Sequence, residues 1–152
     1  MIRNPEIQFA SADAIAAFQQ EYLREEIAYL YENSPYYRRM FDHCGARPDD
    51  IRTQEDLRRL PVTTKTDLQL HPQDFICVPR SRIIDYVTTS GTLGDPVTFA
   101  LTEEDLDRLA YNEAESFTTA GCTPEDVLQL MTTIDRRFMA GLAYFLGARK
   151  LR

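Results

Sequence analysis

The chain is short of everything that marks a membrane, secreted or metal-built protein. No apolar run in its 152 residues reaches the roughly 18 residues of a membrane span. The opening Met1-Ile2-Arg3-Asn4-Pro5 has no apolar core of the kind a signal peptide carries. Only three cysteines occur, Cys44, Cys77 and Cys122, an odd number with no Cys-x-x-Cys among them. The spacing fits lone, largely buried, reduced thiols rather than disulfides or zinc ligands, and no metal site is expected. His43 stands beside Cys44, but neighbours on a helix point in different directions, and one such pair makes no site. Gly (6) and Pro (8) are too few for a disordered or collagenous chain. Basic residues are outnumbered, 17 Lys+Arg against 24 Asp+Glu, giving a net charge of −7. That balance argues against a nucleic-acid binder, which needs a basic face. A soluble cytoplasmic protein is expected, with no membrane and no nucleic-acid partner.

What is present changes character near Ile83. Up to that point the patterning is helical. Ser11 is placed to cap a long helix whose stripe includes Ile15, Phe18, Tyr22, Tyr29 and Leu30. Ser34-Pro35 restarts a helix through Tyr36, Tyr37, Met40 and Phe41, and Gly45 stops it. Thr53 and Thr64 each have an aspartate three residues on, Asp56 and Asp67, which predicts two short capped helices. From residue 83 the segments are short and β-branched. Strands are predicted near 83–88, 97–101 and 127–133, with helices after Thr102 and from Phe138 to Leu151. The order strand, loop, strand, helix, strand, helix opens an α/β domain. The expected organisation is a helical segment over 1–82 and the start of an α/β domain over 83–152.

The stretch Thr88-Thr89-Ser90-Gly91-Thr92-Leu93-Gly94-Asp95-Pro96 carries the chemistry. It follows a predicted strand, holds two glycines and is rich in hydroxyls, so its backbone N–H groups and side chains can turn toward one anion. On spacing alone it is either a phosphate loop or a plain Ser/Gly/Thr hairpin turn. Other phosphate and nucleophile patterns fail. Gly94 is followed by Asp95, not Lys, so there is no Walker loop. Gly-x-Gly-x-x-Gly, Gly-x-Ser-x-Gly and His-Glu-x-x-His are all absent.

Thr89 to Pro96 resembles the Ser-Gly-Thr-Thr-Gly-x-Pro phosphate loop of the adenylate-forming acyl-coenzyme A synthetase superfamily. Asn33-Ser34-Pro35-Tyr36-Tyr37-Arg38 and Leu60-Pro61-Val62-Thr63-Thr64-Lys65 resemble segments of its phenylacetate–coenzyme A ligase family. So do Phe138-Met139-Ala140-Gly141-Leu142 and Gly147-Ala148-Arg149-Lys150-Leu151. The resemblance runs in order from about residue 20 to the C-terminus. It implies the first part of an adenylate-forming enzyme's large N-terminal domain, truncated, with ATP, Mg2+ and coenzyme A as the parent enzyme's reactants and cofactor. The substrate it implies is a small-molecule carboxylic acid, phenylacetate-like or another aryl or acyl acid, and the assembly a homodimer.

Carried over by residue, Thr89, Ser90, Gly91, Thr92 and Gly94 match the loop that holds the ATP phosphates. Phe138 matches an aromatic lining the acid's pocket. Two departures stand out. Leu93 replaces a hydroxyl residue, and the aromatic expected shortly before Phe138 is missing from Thr133 to Arg137. The family's later motifs, including its mobile C-terminal domain and catalytic Lys, do not occur, so no catalytic residue is assigned and turnover by these 152 residues is not expected. Two other functions fit the same pattern: a non-catalytic interaction module that kept part of the fold, and an acyl-protein synthetase.

Overall fold

The computed structural model describes residues 5–89, 95–132, 134 and 138–152. They divide into two compact units, one ending at Val78 and the other beginning at Pro79.

The first unit is helical for local reasons. Helix α1, Ala12–Asn33, starts where the Ser11 side chain accepts a hydrogen bond from the Ala14 N–H at 3.3 Å. Helix α2, Pro35–Cys44, follows at once. Pro35 sits at its first position, and Gly45 ends it in the left-handed region at φ 64°. Ser34 joins the two helices and is fully buried. Its Oγ accepts from the Tyr37 N–H at 3.3 Å and donates to the Asp74 carbonyl at 2.8 Å, so the cap is also a long-range tie. Helix α3, Lys65–Leu70, begins with a reciprocal capping box. The Asp67 carboxylate accepts from the Thr64 N–H at 2.7 Å, and the Thr64 hydroxyl accepts from the Asp67 N–H at 3.2 Å. Thr53 and Asp56 form a similar pair before a 3-10 turn, Glu55–Arg59, where the sequence predicts a short helix.

Ile27, Phe41, Ala46 and Ile51 make this unit's core, and Leu23, Tyr31, Tyr37, Met40 and Leu60 close over it. Phe75 stacks on Tyr36 at 4.1 Å between ring centroids and meets Tyr37 edge-on at 5.7 Å. The Tyr36-Tyr37 pair therefore packs against the unit's own aromatic residue.

The second unit holds an antiparallel hairpin and two helices. Strand β1, Asp85–Thr88, pairs with strand β2, Thr98–Leu101, in the register Asp85 opposite Leu101 and Thr88 opposite Thr98. Helix α4, Glu103–Thr119, opens on a third reciprocal box, between Thr102 and Asp105, with three acids in its first turn. Helix α5, Met139–Leu151, lies against α4 through small residues. Ala110, Ala114, Gly141, Ala143 and Gly147 are the buried positions of the two helices. A Cβ added at Gly147 would collide with Glu113 Cβ and come within 3.1 Å of the Ala114 amide nitrogen. Only glycine allows this approach.

Two expectations need correction. The strand predicted near 127–133 is not formed: Val127 to Thr132 carry no regular structure, and Thr133 lies outside the described residues. A strand needs a partner, and the described sheet contains only β1 and β2. The cysteines are free, as expected, but they are not largely buried. Cys44 is exposed at the last residue of α2, and Cys77 and Cys122 are partly exposed. Burial, aided by the Glu26 charge, pushes the Cys77 thiol above its ordinary value and away from thiolate chemistry.

Candidate functional site

The loop singled out by the sequence joins β1 to β2. Its neck is closed by two hydrogen bonds between the same two residues. The Thr89 N–H donates to the Val97 carbonyl at 3.0 Å, and the Val97 N–H donates to Thr89 Oγ1 at 3.1 Å. The first extends the ladder by one backbone step. The second spends the Thr89 side chain on the opposite strand, which pins both ends of the loop eight residues apart. Val97 is buried, so its N–H needs this partner. Of the predicted phosphate residues, Thr89 is therefore placed at the neck. Ser90, Gly91, Thr92 and Gly94 lie outside the described residues, as does Leu93.

Phe138 comes to the same end of the hairpin from 49 residues further along the chain. It forms an isolated parallel bridge to Thr88, the residue before the loop. Thr88 thus has Thr98 on one side and Phe138 on the other. Phe138 is half-buried and sits at the N-cap of α5 with an extended backbone, φ −68° and ψ 112°. It supplies no side-chain cap, and α5 has no acidic residue in its first turn.

One residue of this frame escaped sequence reasoning: Val97, whose backbone closes the loop. Its signal was weak, because a residue facing a threonine eight positions earlier has no motif of its own, and only the hairpin register puts the two together.

Arg82 pairs with Glu104 at 2.9 Å, both about half exposed, and contributes little. Asp105 is held ionised: burial alone would raise its carboxyl, but hydrogen bonds from the Thr102 N–H and hydroxyl, and from Arg108, outweigh it and keep it below the usual carboxylate range. Among the described residues no group of three or more His, Cys, Asp or Glu could hold a metal ion. These residues offer no cage for Mg2+.

No family model matches the chain. Among curated proteins, it is 38% identical over 146 residues to the phenylacetate-coenzyme A ligase of Escherichia coli, covering 95% of this chain and 33% of that one. It is 38% identical over 125 residues to the phenylacetate-coenzyme A ligase of Thermus thermophilus, covering 82% of this chain and 28% of that one. Among solved structures, it matches a 2-hydroxyisobutyryl-CoA ligase in complex with an acyl-AMP and CoA. That match has a TM-score of 0.79 and 30% identity, over 93% of this chain and 31% of that one. The chain spans about a third of the length of these relatives.

Proposed function

We propose that this chain, an N-terminal stretch of the phenylacetate-coenzyme A ligase family, forms the phosphate-holding part of an ATP-dependent, AMP-forming carboxylate–coenzyme A ligase. The supporting observation is the Thr89–Val97 clasp at the neck of the Thr89–Pro96 loop, in a chain 38% identical to such a ligase over 95% of its length.

In the reaction a carboxylate oxygen attacks the α-phosphorus of ATP. The bond from that phosphorus to the bridging oxygen breaks, and pyrophosphate leaves with the electron pair. The thiol of coenzyme A then attacks the acyl carbon, loses its proton and displaces AMP. This chain's residues serve the first step. Ser90 and Thr92 supply hydroxyl donors and Gly91 and Gly94 let backbone N–H groups approach, so negative charge building on the departing phosphates meets hydrogen-bond donors. Thr89 Oγ1 accepts from the Val97 N–H and keeps its own proton as a donor. A Mg2+ ion, when bound, would share the phosphate charge.

Phe138, one bridge away from Thr88, lines the pocket of the acid, a small aryl or acyl carboxylate. The protein works in the cytoplasm as a homodimer; its net charge of −7 supports a role without nucleic acid.

The test is a full-length chimera in which residues 1–152 replace the matching third of the Escherichia coli ligase. It is assayed with ATP, coenzyme A and a panel of carboxylic acids. Acid-dependent pyrophosphate release followed by thioester formation supports the proposal. A folded chimera that releases no pyrophosphate with any acid contradicts it.

A further inference from the structure

Thr88 is held from both sides. It stands opposite Thr98 in the hairpin, and on its other side it bridges Phe138 in parallel. The Thr89 N–H donates to the Val97 carbonyl, so that pair occupies a hydrogen-bonded position of the antiparallel ladder. Such positions alternate with ones whose residues exchange no bond. Thr88 and Thr98 are a pair of the second kind. The Thr88 N–H and carbonyl therefore face away from β2, to the side on which Phe138 bridges. Among the described residues this is the one β-bridge outside the hairpin. The side chain adds stiffness, since Thr88 is β-branched and half-buried, between the buried Val87 and the Thr89 clasp.

The two neighbours of Thr88 have different tasks in the proposed reaction. The loop it leads into holds the departing phosphates, and Phe138 lines the pocket of the acid. Adjacent strands lie about 4.8 Å apart and successive residues about 3.3 Å, which puts the Phe138 backbone roughly 6 Å from the first residue of the loop. Attack requires the acid oxygen about 3–3.5 Å from the α-phosphorus, and a misplacement of about 1 Å can cost a hundredfold in rate. One residue that carries both elements fixes their separation.

We propose that Thr88 is a positioning residue for acyl-adenylate formation. Its main chain sets the acid, held against Phe138, in register with the nucleotide, held by the Thr89–Pro96 loop. It acts through these two elements and not by contact with either reactant. The inference rests on the function proposed above and adds the residue that aligns one binding element with the other.

The test compares Thr88→Gly, Thr88→Val and Thr98→Gly in the full-length chimera, with each half-reaction followed separately. Glycine removes the branched side chain and loosens the backbone, whereas valine keeps the branch. In Thr88→Gly, kcat for acid-dependent pyrophosphate release should fall roughly ten- to a hundredfold. KM for ATP and for the acid should change by less than about threefold, the pattern of lost alignment rather than lost binding. Thioester formation from preformed acyl-adenylate should be nearly unchanged. Thr88→Val should retain kcat, and so should Thr98→Gly, which loosens the same pair from β2. If Thr88→Gly does not fold, Thr88→Ala takes its place, with the same split between half-reactions expected. A merely structural role predicts that Thr88→Gly and Thr98→Gly lower Tm and slow both half-reactions alike. That result overturns the proposal, as does an unchanged kcat for pyrophosphate release in an active chimera, whatever the KM. A parent chimera that releases no pyrophosphate with any acid overturns the function proposed for the loop, and this inference with it.

Discussion

Thr89 and Val97 hold each other twice, N–H to carbonyl at 3.0 Å and N–H to hydroxyl oxygen at 3.1 Å, across the neck of the loop. A side chain matched to a phosphate contact is thereby tied into the hairpin itself. Thr89→Val removes the acceptor and leaves the buried Val97 N–H unpaired. The expected cost is about 1–3 kcal/mol. Urea unfolding should show it, with faster hydrogen exchange at the Val97 amide. Thr89→Ser keeps the oxygen and should restore most of the loss.

Gly147→Ala tests the close approach of α5 to α4. Alanine is worth about 1 kcal/mol more than glycine inside a helix. Here its Cβ would meet Glu113 Cβ and the Ala114 backbone, which cannot swing aside. Overpacking costs roughly 1–3 kcal/mol, so the substitution should lower thermal stability despite the better propensity. A rise in Tm would show that the helices separate without penalty.

Threonine–aspartate pairs three residues apart make stability depend on acid. The Asp67 carboxyl is held below its ordinary value by the Thr64 hydroxyl and N–H, and Asp126 by the Thr123 N–H and hydroxyl. Asp105 is lowered in the same way against its burial. A group whose value is depressed in the folded state adds stability above its unfolded value and loses it as pH falls through the folded one. Asp105→Asn should therefore destabilise the protein at neutral pH. The gap to the parent should narrow as pH drops below about 4, the ordinary carboxylate value. Denaturant titrations of both proteins over that range check this.

Phe138→Ala separates pocket from core. In the full-length chimera it should change the preference among carboxylic acids by altering KM and kcat/KM for aryl relative to small acyl substrates. A uniform loss of stability of about 3–5 kcal/mol, with the acid preference unchanged, would assign Phe138 to packing.

The parts of the fold that were legible in the sequence are those decided within a few residues. Ser11, Ser34-Pro35, Thr64 with Asp67 and Thr102 with Asp105 start their helices where their spacing says, because a cap needs only the next three amides. The strands expected near 83–88 and 97–101 form as 85–88 and 98–101 and pair because a short loop brings them together. Residues 127–132 have the same signature and no strand, since sheet formation needs a non-local partner that local pattern cannot supply. Cys44 misled for a similar reason: burial depends on where a helix end meets the core, not on residue type. At the site, glycines and hydroxyls single out the loop and resemblance singles out Phe138, and the phosphate and pocket roles given to them are proposals. The clasp at Val97 and the bridge at Thr88 come from register, which one strand read alone does not contain.

The central claim is that the loop holds departing phosphate, and the half-reactions of Thr92→Val in the full-length chimera test it most directly. A charge-assisted hydrogen bond is worth roughly 1.5–3 kcal/mol, and each 1.4 kcal/mol is about tenfold in rate. Acyl-adenylate formation should slow by roughly ten- to a hundredfold. Thioester formation from preformed acyl-adenylate should be nearly unchanged, because pyrophosphate has already left. Equal slowing of both half-reactions, or slowing of neither, would contradict the account.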